Sequence, residues 1–200
     1  MDGVIIDSMP VHMQAWKIYL EQHQLSIENL WEKMIGKHND ELVHQFWGPN
    51  PGIDHGAEKE ALFRKMMDPV FHQYIVPGVV DFIRSSPLPK AVGSNAERSN
   101  IDFALNRAGI EKEFQSIVSG HEVKRPKPDP DVYLQAAALL EVAPADCIVF
   151  EDSPTGVAAA RAAGMRVVGV DTGKVNLENV DLRIDHFLDP KLQPWLERQS

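Results

Sequence analysis

The sequence predicts an α/β protein with a Rossmann-like parallel-sheet core and an inserted all-helical cap. Three observations carry this expectation. From Pro77 onward, short apolar runs alternate with helix-like stretches. The segment 10–76 shows helical spacing and no strand pattern. One complete βαβ unit is written between Cys147 and Val170. Strands that alternate with helices imply a mostly parallel sheet covered on both faces.

The βαβ unit is the clearest. Cys147–Phe150 is a continuous apolar run, as expected of a strand buried on both sides. Ser153 suits a helix N-cap and Pro154 the first helical position. Alanines 158–160, 162 and 163 favour helix and permit close packing on a sheet. Gly164 suits the left-handed residue after the helix, and Met165–Val170 reads as the next strand. Elsewhere in this part, Ala91-Val92-Gly93 precedes a helix near Ala96–Ala108, and Gln115–Ser119 reads as a strand. Pro130–Leu140 reads as a helix, with Asp129 as its cap, and Ile184–Leu188 as a last short strand.

The other segment is rich in Trp, His, Met, Gln and Glu. Its helices are expected at Val11–His23, Ile27–Met34, Asp40–Phe46 and Glu58–Tyr74, with Gly48–Gly52 as a breaker. The expected division is therefore a core of 1–9 with 77–200 and a cap of 10–76.

Bulk properties narrow the function. Hydrophobic residues make up 44% and charged residues 24%, and the formal net charge is −9. An acidic chain without a basic run argues against nucleic acid and anionic membrane as partners. No apolar run approaches the roughly 20 residues that span a bilayer. The single cysteine, Cys147, leaves no disulfide framework and no cysteine-based zinc site. With a start that does not read as a signal peptide, it fits a reducing cytoplasm. The expected assembly is a monomer or weak dimer. No Gly-x-x-x-x-Gly-Lys phosphate loop, dinucleotide fingerprint, serine-hydrolase elbow or His-Glu-x-x-His pair is present.

Four short stretches can carry chemistry. Glu151 and Asp152 follow a buried strand at its carboxyl end, the edge where open α/β sheets bind ligands. Adjacent carboxylates repel one another unless a cation offsets them, and Mg²⁺ is the natural hard cation; the alternative is a helix-terminus charge interaction with solvation. Lys127 is flanked by Pro126 and Pro128, which hold it on a stiff extended segment suited to phosphate or carboxylates; otherwise it is a surface lysine. Ser94 and Asn95 lie between a strand and a helix, where a hydroxyl, an amide and free N–H groups form an anion site or a plain helix cap. Asp2 and Asp7 flank Gly3-Val4-Ile5-Ile6, a pattern that by itself reads as a turn.

In this order the four stretches resemble the haloacid dehalogenase-like superfamily, in its branch of beta-phosphoglucomutase and small sugar-phosphate phosphatases. Met1-Asp2-Gly3-Val4-Ile5-Ile6-Asp7-Ser8 matches the first motif from its second residue onward. Ser94 matches the second-motif hydroxyl, Lys127 the third-motif lysine, and Glu151-Asp152 the fourth-motif acidic pair. The resemblance implies Mg²⁺-dependent phosphoryl transfer on a small phosphorylated metabolite through an aspartyl-phosphate. Asp2 would be the acid–base, Ser94, Asn95 and Lys127 would hold phosphate, and Asp2 (through its carbonyl), Glu151 and Asp152 would hold the metal. A cap that closes to exclude water is implied as well. In it, His12 resembles the cap-hinge histidine that assists proton handling in the mutase, and Lys37 falls in the cap substrate loop. Lys59, Arg64 and Lys65 are candidates for a distal phosphate contact. The motif's attacking aspartate and its preceding strand would stand before Met1, so residues 1–200 alone are expected to be inactive, either as a truncated reading or as a genuinely catalytically dead homologue. Phosphatase, hexose-phosphate mutase and inactive phosphate- or metal-binding homologue remain the three functional readings.

Overall fold

The structure is a computed structural model that describes residues 1–34, 39–49, 51–172 and 175–199. It falls into two compact units, Met1–Asp7 with His72–Ser200, and Ser8–Phe71. Among the described residues, no helix is long and apolar enough to cross a membrane.

The first unit is built on parallel strands. Strand β1 (Ala91–Ser94) pairs in register with β2 (Ser116–Ser119), Ser94 facing Ser119. Strand β3 (Ile148–Glu151) pairs with β4 (Arg166–Val170), which pairs with β5 (Leu182–Ile184). These form a two-stranded and a three-stranded sheet among the described residues. Helices α6 (Arg98–Ala108), α7 (Asp131–Leu139) and α8 (Pro154–Ala162) connect them. The parallel α/β core read from the sequence is therefore present. Its apolar centre joins Val118, Val132, Ala136, Val149, Val157 and Val167. The cap on α8 forms as expected: Ser153 Oγ accepts from the Gly156 amide at 3.0 Å, and Gly164 takes φ +76° after the helix. Ala159 and Ala160 are fully buried against the sheet.

Several boundaries differ from the sequence reading. The last strand is Leu182–Ile184, earlier than 184–188, because pairing with Val168–Val170 sets its register. Asp129 does not cap α7; it pairs with Arg125 at 3.3 Å, and Asp131 pairs with the same guanidinium at 2.8 Å. Helix α6 begins at Arg98, so neither Ser94 nor Asn95 is its cap. Helices α5 (Val79–Ser85) and α9 (Leu192–Glu197) were not anticipated, since each is too short to show a clear period.

The second unit is helical. It contains α1 (Met9–Gln22), α2 (Leu30–Met34), α3 (Asn39–Trp47) and α4 (His55–Met67). Trp16, Tyr19, Leu20, Met34 and Leu42 form its core. Helix α2 starts later than Ile27 because Asn29 takes φ +53°. Helix α4 starts earlier than Glu58 because Asp54 accepts from the Ala57 amide at 2.9 Å. It gives way to a 3₁₀ turn over Asp68–Gln73, where Pro69 cannot continue the α-helical ladder.

Candidate active site

The carboxyl ends of β1 and β3 are tied together by one lysine. Lys127 is buried, and its ammonium donates to Glu151 Oε1 at 2.5 Å, to the Tyr133 hydroxyl at 2.7 Å and to the Gly93 carbonyl at 3.0 Å. Those three acceptors come from the end of β3, from α7 and from β1. The backbone of the same lysine is clasped by Asn95, which accepts from its amide at 3.1 Å and donates to its carbonyl at 3.2 Å. The side-chain amide of Asn95 thus holds the backbone of Lys127. Ser94, buried at the end of β1, accepts from the Ala96 amide at 3.2 Å. Ser119 steadies this loop from the next strand by donating to the Ala96 carbonyl at 2.7 Å.

Glu151 is satisfied from every side. Besides Lys127, its Oε1 accepts from Tyr133 at 2.6 Å. Its Oε2 accepts from the amides of Asp152 and Ser153, each at 3.1 Å, and from the Ser153 hydroxyl at 2.9 Å. Burial opposes its charge, but Lys127 outweighs that and holds the carboxyl well below its ordinary range. The fit depends on Gly156: a Cβ there would lie 2.0 Å from the Glu151 carboxyl carbon.

Asp152 is in the opposite condition. It is partly buried, and no protein hydrogen bond reaches its carboxylate among the described residues. Burial pushes its pKa up, the negative charges of Glu151 and Asp2 push it further, and the positive charges of the Met1 amine and Lys127 offset them only in part. The turn Asp2–Ile6 packs directly on it. Gly3 takes φ +64° there, and a Cβ at Gly3 would overlap Asp152 Oδ2 at 1.8 Å. The turn is held by Gly3 N donating to the Ile6 carbonyl at 2.8 Å and by Val76 N donating to the Ile5 carbonyl at 3.0 Å. Asp2, Lys127, Glu151 and Asp152 therefore lie together, and Ser94 is linked to them only through its neighbours Gly93 and Asn95.

His12 and Lys59 lie in the helical unit. His12 stacks on Phe63 with ring centroids 3.6 Å apart, and its Nδ1 is 3.2 Å from Lys59 Nζ. Lys59 is buried over the Trp16 ring and paired with Glu60, which also accepts from Asn39. Lys37, with the rest of Gly36-Lys37-His38, lies outside the described residues.

The haloacid dehalogenase-like hydrolase family model matches residues 1–170. The chain belongs to this family. It is 30% identical to the beta-phosphoglucomutase of Bacillus subtilis, over 96% of this chain and 90% of that one. It is 32% identical to a fructose-1-phosphate phosphatase of Escherichia coli, over 85% of this chain and 93% of that one. Among solved structures, it superimposes on the beta-phosphoglucomutase of Clostridium difficile with a TM-score of 0.81 at 25% identity, covering 99% of this chain and 93% of that chain.

As a haloacid dehalogenase-like protein, the chain brings a donor set that fits a hard cation: an Asp152 carboxylate that receives no protein hydrogen bond and is disfavoured by like charge beside it. Glu151 fits that role less well than the sequence suggested, because both of its oxygens are already held by protein donors. Two participants escaped the sequence reading. Tyr133 bonds both members of the buried pair, yet in the sequence it is only an aromatic residue on a helix. Ser119 looked like the end of a strand. No local pattern marks either one, although the burial of a tyrosine near a helix start asks for a hydroxyl partner.

Proposed function

We propose that this site transfers a phosphoryl group from a small phosphorylated metabolite, most simply as a sugar-phosphate phosphatase. The observation that carries the reading is the contrast between Glu151, fully satisfied by Lys127 and its neighbours, and Asp152, a carboxylate beside it with no donor. Asp152 and the backbone carbonyl of Asp2 would hold Mg²⁺, with Glu151 acting mainly by fixing Lys127. When bound, Mg²⁺ supplies charge neutralisation for the transferring phosphoryl oxygens. Ser94 and the loop amides after β1 present donors at the sheet edge, and Lys127 adds the positive charge. Asp2 would give a proton to the leaving oxygen and take one back from the incoming water. His12, held between Phe63 and Lys59, would belong to substrate handling, as would Lys37. A cytoplasmic setting and a monomeric or weakly dimeric state complete the proposal.

The covalent step needs an attacking carboxylate, which the motif places immediately before the residue matched by Met1. A polypeptide of residues 1–200 alone is therefore expected to bind Mg²⁺ and inorganic phosphate but to hydrolyse no sugar phosphate. Joining an apolar strand that ends in aspartate before Met1 should produce Mg²⁺-dependent hydrolysis, and the same strand ending in asparagine should not. Brisk hydrolysis by residues 1–200, abolished by Asp2→Asn and by Lys127→Ala, would overturn the covalent mechanism.

A mutase is the second reading, favoured by the likeness to beta-phosphoglucomutase over nearly the whole chain. In that case the labelled phosphoenzyme would discharge faster to a hexose phosphate than to water.

A further inference from the structure

The helical unit holds a second cluster that phosphoryl transfer does not use. His23 follows the last turn of α1, while His55 and Glu58 lie in the first turn of α4. One ligand atom from each, two imidazole nitrogens and a carboxylate oxygen, lie within 4.8 Å of one another.

Tyr19 fixes which nitrogen of His55 is available. Its hydroxyl donates to Glu58 Oε2 at 2.6 Å, and the Tyr19 hydroxyl oxygen itself lies 2.9 Å from His55 Nδ1. One phenolic proton cannot serve both partners. Nδ1 of His55 therefore carries a proton and donates to Tyr19, and the lone pair sits on Nε2. Anchoring one ring nitrogen so that the other can coordinate is how metal-binding histidines are held. Among the described residues, no hydrogen bond reaches His55 Nε2 or either ring nitrogen of His23. His55 is buried and stacked on Trp47 at 4.0 Å, and the His23 ring meets it edge-on at 4.9 Å.

We propose that His23, His55 and Glu58 bind one borderline transition-metal ion, Zn²⁺ or its close analogue Co²⁺, which pins the end of α1 to the start of α4. Two nitrogens and one oxygen favour such ions over Mg²⁺, which demands oxygen ligands. Metal–ligand bonds of about 2.0–2.2 Å would bring the three atoms closer than they stand now, through side-chain rotation of the exposed Glu58 and the partly exposed His23. A water would complete the tetrahedron. The chain would then carry two cation sites of different chemistry, one hard and one borderline.

The test uses the full chain with Cys147→Ser, so that the thiol cannot bind metal. Co²⁺ should produce the visible absorption of a tetrahedral nitrogen–oxygen site at one equivalent. Zn²⁺ should displace it, and excess Mg²⁺ should not. Zn²⁺ at micromolar concentration should also raise the Tm. His23→Gln, at a partly exposed position, should weaken Co²⁺ binding by at least about tenfold, and Tyr19→Phe by about 10–100-fold through loss of the anchor. Circular dichroism checks that each variant is folded, and Glu58→Gln serves if one is not. Absence of the Co²⁺ bands, displacement by Mg²⁺, or unchanged binding in folded His23→Gln and Glu58→Gln would show that the cluster is aromatic packing only.

Discussion

Among the described residues, each unit of the molecule buries a lysine–glutamate pair, and the two pairs are built differently. In the helical unit Lys59 and Glu60 are neighbours on one helix, with His12 and Asn39 among their partners and Trp16 beneath the ammonium. In the α/β unit Lys127 and Glu151 come from distant parts of the chain and join two strand ends. The α/β pair alone stands beside a carboxylate, Asp152, that receives no protein hydrogen bond among the described residues. A buried ion pair is thus a poor sign of chemistry by itself, because such pairs form wherever geometry satisfies both charges. The adjacent unsatisfied charge is what separates a site from a brace.

That comparison can be broken most forcefully at Glu151. Glu151→Ala leaves Lys127 buried without its counter-charge and strips partners from Tyr133 and Ser153. It should cost about 3–5 kcal/mol in urea unfolding and abolish phosphate binding together with stability. The corresponding change in the helical unit should affect stability and leave Mg²⁺ and phosphate binding in place. Glu60 titrates at about 2, because Lys59 and then His12 outweigh the burial that opposes its charge. A depressed carboxyl pKa contributes stability that is fully present above the unfolded value of 4.5 and lost as pH falls through about 2. Glu60→Gln should therefore lower stability by about 3 kcal/mol at neutral pH. The gap to the parent should close between pH 4.5 and 2, while Mg²⁺ and phosphate binding remain unchanged. The smallest effect has the opposite sign. Asp152→Asn removes like-charge repulsion, so without divalent ions it should raise stability by about 1 kcal/mol. It should also abolish the rise in Tm that Mg²⁺ gives the parent. A metal-free Asp152→Asn variant less stable than the parent would show that this carboxylate has a structural partner after all.

The sequence revealed the parts that are local. The βαβ unit at 147–170 was legible because its cap, small alanines and terminal glycine are consecutive signals, and the helix it predicted is α8. Lys127 and Glu151-Asp152 were legible as motifs, but their relation was not. That Glu151 serves Lys127 while Asp152 remains unsatisfied depends on Tyr133 and Gly93 arriving from elsewhere in the chain. The Asn95 clasp on the Lys127 backbone is likewise a contact across 32 residues, invisible to any periodicity. In the helical unit, Asn29 and Pro69 moved helix ends by backbone conformation, against an amphipathic pattern that continued through both.

Gly156 has a consequence for anyone who rebuilds this protein. A single added carbon there would strike the Glu151 carboxyl group at 2.0 Å. Positions 151 and 156 therefore cannot be randomised independently in a directed-evolution library. A residue larger than glycine at position 156 would be recovered only together with a shorter side chain at the end of β3, and with it a more distant or missing counter-charge for Lys127.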